Sequence, residues 1–136
     1  MPPRTLLIIR GLPGSGKSTL GEQLAPDNCF SPDDYFMEED GTYAFDADQL
    51  PKAIEYTQFR VEDAMSRNEP VVAVAATFTK RWHTREYRDL ADTYGYSVFQ
   101  LECQNDYGST HPVPANVVLR MATRWDHWVG RTWRNT

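Results

Sequence analysis

The residues whose types and order could do chemistry stand near the amino end. Gly11-Leu12-Pro13-Gly14-Ser15-Gly16-Lys17-Ser18 is a full G-x-x-x-x-G-K-[ST] pattern, followed by Thr19 and entered from the apolar run Thr5-Leu6-Leu7-Ile8-Ile9. Such a loop grips a nucleoside triphosphate. Gly11, Gly14 and Gly16 open backbone conformations closed to residues with a Cβ, which turns successive N–H groups inward around phosphate oxygens. Lys17 is then expected on the β- and γ-phosphates of ATP and Ser18 on Mg²⁺, with the positive end of the helix that opens at Ser18 aimed at the anion. A second stretch, Ser31-Pro32-Asp33-Asp34-Tyr35-Phe36, reads first as a capping box: Ser31 as N-cap, Pro32 at the first helical position and Asp34 three residues on. Asp33 has a further use if its strand opens onto the crevice of the phosphate loop. A carboxylate there accepts the proton of an attacking hydroxyl or holds a magnesium-bound water.

The elements that must position these residues alternate. Arg4 to Arg10 reads as a buried parallel strand, Lys17 to Leu24 as the helix after the loop, and Cys29-Phe30-Ser31 as a short second strand. A weakly structured segment is expected through Glu38-Glu39-Asp40-Gly41-Thr42. Leu50, Ile54, Thr57, Val61, Ala64 and Met65 then recur at helical spacing up to Arg67-Asn68. Val71 to Val74 reads as a strand, Thr84 to Tyr94 as a helix closed by Gly95, Tyr96 to Leu101 as a strand, Glu102 to Pro112 as a polar loop and Ala115 to Trp128 as a last helix. Strands separated by helices imply parallel pairing with helices on both faces, so a three-layer α/β domain spanning residues 1–136 is expected.

The chain has 136 residues and a formal net charge of -5, which argues against a protein that coats nucleic acid through bulk charge but not against a local basic face. Cys29 and Cys103 show no ligand spacing, so two buried thiols are expected rather than a disulfide or a zinc site. No long apolar stretch or leader is evident, and a soluble, cytoplasmic protein without a membrane partner is the expectation.

The phosphate loop, Asp33-Asp34-Tyr35, Thr77 after the third strand, His111-Pro112-Val113-Pro114 and Arg120-Met121-Ala122-Thr123-Arg124-Trp125 together resemble the polynucleotide-kinase-like P-loop kinases. The resemblance covers nearly the whole chain and implies a small enzyme that uses ATP and Mg²⁺ to phosphorylate a hydroxyl, often on nucleic acid. It implies Asp33 as general base. The size is also similar to that of the bacteriophage kinases that phosphorylate 5-hydroxymethyluracil in DNA; a phage-encoded enzyme would work in the host cytoplasm.

The sequence departs from the family pattern in three places. Ala76-Thr77 stands where relatives carry Asp-Thr or Asn-Thr after the third strand, with Ala75 leaving the preceding position without a polar group too; Phe36 stands where an arginine contacts the acceptor strand, and Cys103 to His111 contains no lysine or arginine. Magnesium would rest on Ser18, phosphates, water and Asp33 or Asp34. Phe36 becomes a candidate ring for stacking on a base. Arg120 and Arg124, one helical turn apart, are the candidates for stabilising charge on the phosphoryl group, the alternative being an ordinary solvated helix face. No basic residue lies between Lys17 and Lys52, whereas Lys80-Arg81-Trp82-His83, Arg85, Arg88 and the tail from Arg124 to Arg134 interleave cations with rings, a pairing suited to nucleic acid. The resemblance implies DNA rather than RNA as that partner. Three functions stay open: a kinase acting on a polynucleotide hydroxyl, a small-molecule kinase, and a nucleotide-binding module without catalysis.

Overall fold

Short β-branched and aliphatic runs flanked by polar turns form a parallel sheet in the computed structural model, which describes residues 4–12, 16–78 and 81–103, without the side chains of Arg81 and Trp82. The chain order is β1 (Thr5–Gly11), α1 (Lys17–Leu24), β2 (Cys29–Phe30), α2 (Leu50–Ser66), β3 (Val71–Ala76), α3 (Arg85–Tyr94) and β4 (Ser97–Cys103). Three 3₁₀ turns, Pro32–Phe36, Ala47–Gln49 and Arg81–Thr84, complete the described elements. The helices match the expected bounds to within a residue or so. Glu102 and Cys103, expected in a loop, extend β4, and the expected helix Ala115 to Trp128 lies outside the described residues.

Strand order is β2-β3-β1-β4, all parallel, with Ile8 opposite Val74 on one side and Gln100 on the other. The sheet therefore has a feature the chain order alone does not give. β2 is not the neighbour of β1, because β3 lies between them.

Side chains alternate across the sheet with a period of two, and each face finds its own helices. Leu6, Ile8, Phe30, Val72 and Val74 are buried on one face with Val61, Ala64 and Met65 of α2 and Tyr87 and Ala91 of α3. Leu7, Ile9, Cys29, Ala73 and Ala75 gather on the other with Leu20 of α1. This is the three-layer α/β arrangement of a P-loop fold. The α2 stripe begins at Ala53 rather than at Leu50, which is 37% exposed, since the chain enters the helix from a 3₁₀ turn at the protein's surface.

Close approach of α1 to the sheet rests on small residues at the contact. Ala73 and Ala75 are fully buried, and a Cβ built on Gly21 would lie 2.5 Å from Cys29 Sγ and 3.3 Å from Ile9 Cδ1. The alanines here have a packing role, and the helix that begins with Lys17 is set by it.

Two opposed effects decide what a methyl at position 21 does. Alanine in place of glycine in a helix gains about 1 kcal/mol, whereas overpacking costs about 1–3 kcal/mol. At 2.5 Å the overlap is deep, so Gly21→Ala is expected to lower stability in urea unfolding, and the same change in a Cys29→Ala background to raise it. Equal effects in both backgrounds would mean that the sulfur simply rotates aside.

Candidate functional site

Gly11 ends β1 in the ladder opposite Cys103, so it is extended backbone and not one of the left-handed glycines expected of the loop. Gly16 is: at φ 89° it turns the chain into α1, a position that favours a residue without a Cβ. Its carbonyl accepts from Leu20 N–H at 3.0 Å, the first bond of the helix. Among the described residues no side chain caps α1, and its first turn holds no acidic residue, so its amino end is positive and favours an anion. Leu12 is half-buried, and Ser18 and Thr19 are exposed on the first turn. Pro13, Gly14 and Ser15 lie outside the described residues, as do Arg120 and Arg124.

Lys17 is the unusual member. It is 9% exposed, and its ammonium makes no hydrogen bond or ion pair with any described residue. An isolated buried cation is costly, so burial pulls its pKa below the ordinary 10.5, while the nearby Asp33 carboxylate and Cys103 thiol act in the opposite direction. Burial also pushes the Cys103 thiol up, with Lys17 opposing the shift. The site thus holds a cation in place with nothing described paired to it. Both cysteines are half-buried rather than fully buried, and Cys29, pushed up to about 11 by burial and by Glu22 and Asp34, is a poor nucleophile.

The capping box read from the sequence forms, on a 3₁₀ turn. Ser31 Oγ accepts from Asp33 N–H at 3.2 Å, and Ser31 N–H donates to Asp34 Oδ2 at 3.1 Å. Arg60 of α2 also donates to Asp34 Oδ2 at 2.7 Å, with its guanidinium over the rings of Phe30 and Tyr56. Asp33 is half-buried and takes a different partner: Tyr43 Oη donates to its Oδ1 at 3.0 Å. Phe36 is not the free stacking ring that its place in the sequence suggests. The turn points it inward, and at 5% exposure it packs against Tyr35, Tyr43 and Phe45. Tyr35 and Tyr56, 5.9 Å apart, are the partly open rings beside it.

Lys17 follows β1 and Asp33 follows β2, so the width of β3 separates their strands, two spacings or roughly 9.5 Å. The carboxyl end of β3 carries Ala75 and Ala76, then half-buried Thr77.

Arg10 escaped the reading of the sequence as a site residue. It lies in the strand leading to the loop and is fully buried; its Nε donates to the carbonyl of Phe78 at 3.0 Å and its Nη1 lies 3.4 Å from Glu102 Oε1. Phe78 takes φ 46°, and the bond from Arg10 ties this bend to β1. A cation at the end of an otherwise apolar strand was the available signal. Arg85 and Arg88 are exposed on α3, and Lys80 lies outside the described residues.

As for a divalent metal, Ser18 offers an exposed hydroxyl beside Lys17 and Asp33 an oxygen across the gap, a fit to a hard cation held mainly by phosphate and water. Among the described residues no cluster of three His, Cys, Asp or Glu forms a cation cage. No described helix is long and apolar enough to cross a membrane.

Comparison with known proteins agrees with this geometry. The sequence matches the AAA domain family over residues 6–108. Human NEDD4-binding protein 2 is 36% identical over 97 residues, which are 68% of this chain and 5% of that much longer protein. Among solved structures, a gluconokinase from Sinorhizobium meliloti 1021 superposes with a TM-score of 0.58 at 16% identity, covering 96% of this chain and 79% of its own. A chain of the Pnkp1/Rnl/Hen1 complex does so with a TM-score of 0.55 at 18% identity, covering 96% and 44%. The loop, the strand order and the family match converge: this chain belongs to the AAA domain family and has a P-loop kinase-like fold.

Proposed function

We propose that this protein is an ATP-dependent phosphotransferase whose acceptor is an alcohol on nucleic acid, in its narrowest form the 5-hydroxymethyl group of 5-hydroxymethyluracil within DNA. The observation that carries the reading is the buried Lys17 ammonium, without a partner among the described residues and within electrostatic reach of Asp33. Lys17 and the amino end of α1 bind the triphosphate. Asp33 takes the proton of the acceptor hydroxyl; that oxygen bonds to the γ-phosphorus as the bond from phosphorus to the β–γ bridging oxygen breaks, and ADP leaves. A divalent cation bound to the phosphates would neutralise developing charge, with Ser18 and Asp33 as its nearest protein oxygens. Arg120 and Arg124 are the proposed further cations for the phosphoryl group.

Phe36 supports an acceptor other than a strand's 5′ end. Buried in the aromatic cluster, it supplies no cation for a terminal phosphate, and base contacts would fall to Tyr35 and Tyr56. Likeness to a chain of the Pnkp1/Rnl/Hen1 complex, described as an RNA repair complex, favours a polynucleotide acceptor. A small-molecule acceptor is the second reading, favoured by the gluconokinase likeness and by the acidic run from Asp33 to Asp40, which repels a phosphodiester backbone. Labelled ATP offered with 5-hydroxymethyluracil DNA, 5′-hydroxyl oligonucleotides, nucleosides and sugars separates these. Label on the modified DNA supports the narrow form; label only on 5′ ends or only on small molecules overturns it.

Two further outcomes follow from the roles. Lys17→Ala should abolish transfer and weaken ATP binding, whereas Asp33→Asn should leave ATP affinity intact and slow transfer by about two to four orders of magnitude. Normal turnover by the Asn variant would leave Asp33 with a purely structural place in the 3₁₀ turn. The lowered pKa of Lys17 adds a pH dependence. A bound triphosphate favours the charged lysine, so as pH rises toward 10.5 the free protein loses that proton first, binding must restore it, and affinity falls. Calorimetry in two buffers of different ionisation enthalpy should show proton uptake on ATP binding in that alkaline range, lost in the Lys17→Ala variant.

A further inference from the structure

Ten residues after Asp33 the chain returns to it, and the return is built. Past the 3₁₀ turn, Met37 and Tyr43 form an antiparallel bridge. Glu38 N–H donates to Thr42 O at 2.7 Å, and Gly41, at φ 88°, donates to Glu38 O at 2.9 Å. Asp40 Oδ1 accepts from both the N–H and the hydroxyl of Thr42, at 3.0 and 2.7 Å, and Ala44 N–H donates to Phe36 O at 2.8 Å. The segment expected to be weakly structured is thus a tight reversal. Its product is the placement of one ring: Tyr43 lies nearly parallel to Phe45, 12° between planes, and edge-on to buried Phe36.

From that seat the phenol donates to Asp33 Oδ1 at 3.0 Å, while Asp33 Oδ2 accepts no hydrogen bond from any described residue. A hydrogen bond to one carboxylate oxygen restricts rotation about the Cβ–Cγ bond and so favours one direction for the other oxygen. Ser31 fixes the backbone of the same residue through Asp33 N–H. We propose that Tyr43 is a positioning residue for the transfer reaction, holding Oδ1 of Asp33 so that Oδ2 meets the acceptor hydroxyl. The inference rests on the reading of Asp33 as base. Burial and the charge of Asp33 raise the phenol's pKa, so Tyr43 keeps its proton and stays a donor through the neutral range.

The test is a double-mutant cycle on the full chain, using whichever acceptor of the panel takes label. Tyr43→Phe keeps the ring against Phe36 and Phe45 and removes only the hydroxyl. Its expected effect is a fall in kcat of about tenfold with KM for ATP and the unfolding midpoint unchanged, and no further fall when it is added to Asp33→Asn. An unchanged kcat, or the same fall in both backgrounds, overturns the role of Tyr43 and leaves Asp33 as base. Normal turnover by Asp33→Asn alone removes the base reading and this inference with it. Label on Tyr43 itself after incubation with ATP alone would overturn the proposal differently, by making the phenol an acceptor.

Discussion

A lysine ammonium held out of water, with no partner among the described residues, is the constraint around which the described structure is arranged. Leaving such a charge unpaired costs several kcal/mol in a folded protein, a large share of the margin by which a domain of this size is stable. The fold accepts this because Lys17 cannot leave. Its backbone is the first residue of α1, Gly16 sets the turn before it, and Gly21 presses the helix onto Cys29 and Ile9 one turn further on. The same burial that depresses its pKa makes an incoming polyanion more effective there than at the surface, since charges attract more strongly where water is excluded. Cost in the empty protein and affinity for a phosphate chain are one quantity seen from two states.

Sheet order turns this local feature into a two-sided site. β3 lies between β1 and β2, so the strand ends that lead to Lys17 and Asp33 stand two spacings apart. Arg10 steadies the opposite flank. Its buried guanidinium joins the strand before the loop to Glu102 of β4 and to the backbone of Phe78 after β3, so three chain segments that border the gap are fastened at one point. Removing one partner of such a buried pair is costlier than the pair is stabilising, so the contact acts more as a constraint on geometry than as a source of stability.

Much of this was legible in the sequence, for reasons that differ by element. The phosphate loop and α1 are local: spacing and the apolar run before them carry the information, and α1 runs over the residues expected. The capping box is local too, and forms with the partners expected. What depends on three dimensions was not legible. Nothing in a linear pattern places β3 between β1 and β2, and Phe36 reads as an open ring until the 3₁₀ turn and the following reversal enclose it. Tyr43 is invisible as a partner of Asp33 because the turn between them is held by Asp40, Thr42 and Gly41, residues whose composition also suits a solvated loop. Arg120 and Arg124 stay expectations drawn from resemblance, outside the described residues.

The fates of Asp33 and Asp34 show how a one-residue offset divides labour between identical groups. In a capping box the third residue of the turn folds its side chain back onto the N-cap amide, and Asp34 does so. That direction also brings it to Arg60, so its Oδ2 serves the turn and α2 together, and little charge is left to offer a substrate. The second residue of the turn has no such obligation: its amide is taken by Ser31, but its side chain projects away from the cap. Asp33 is therefore the carboxylate that the capping hydrogen bonds leave over, and among the described residues the chain's reversal ten residues on supplies its side-chain partner. The capping geometry thus separates the two carboxylates before any ligand arrives, because Asp34 is already committed to holding the turn together.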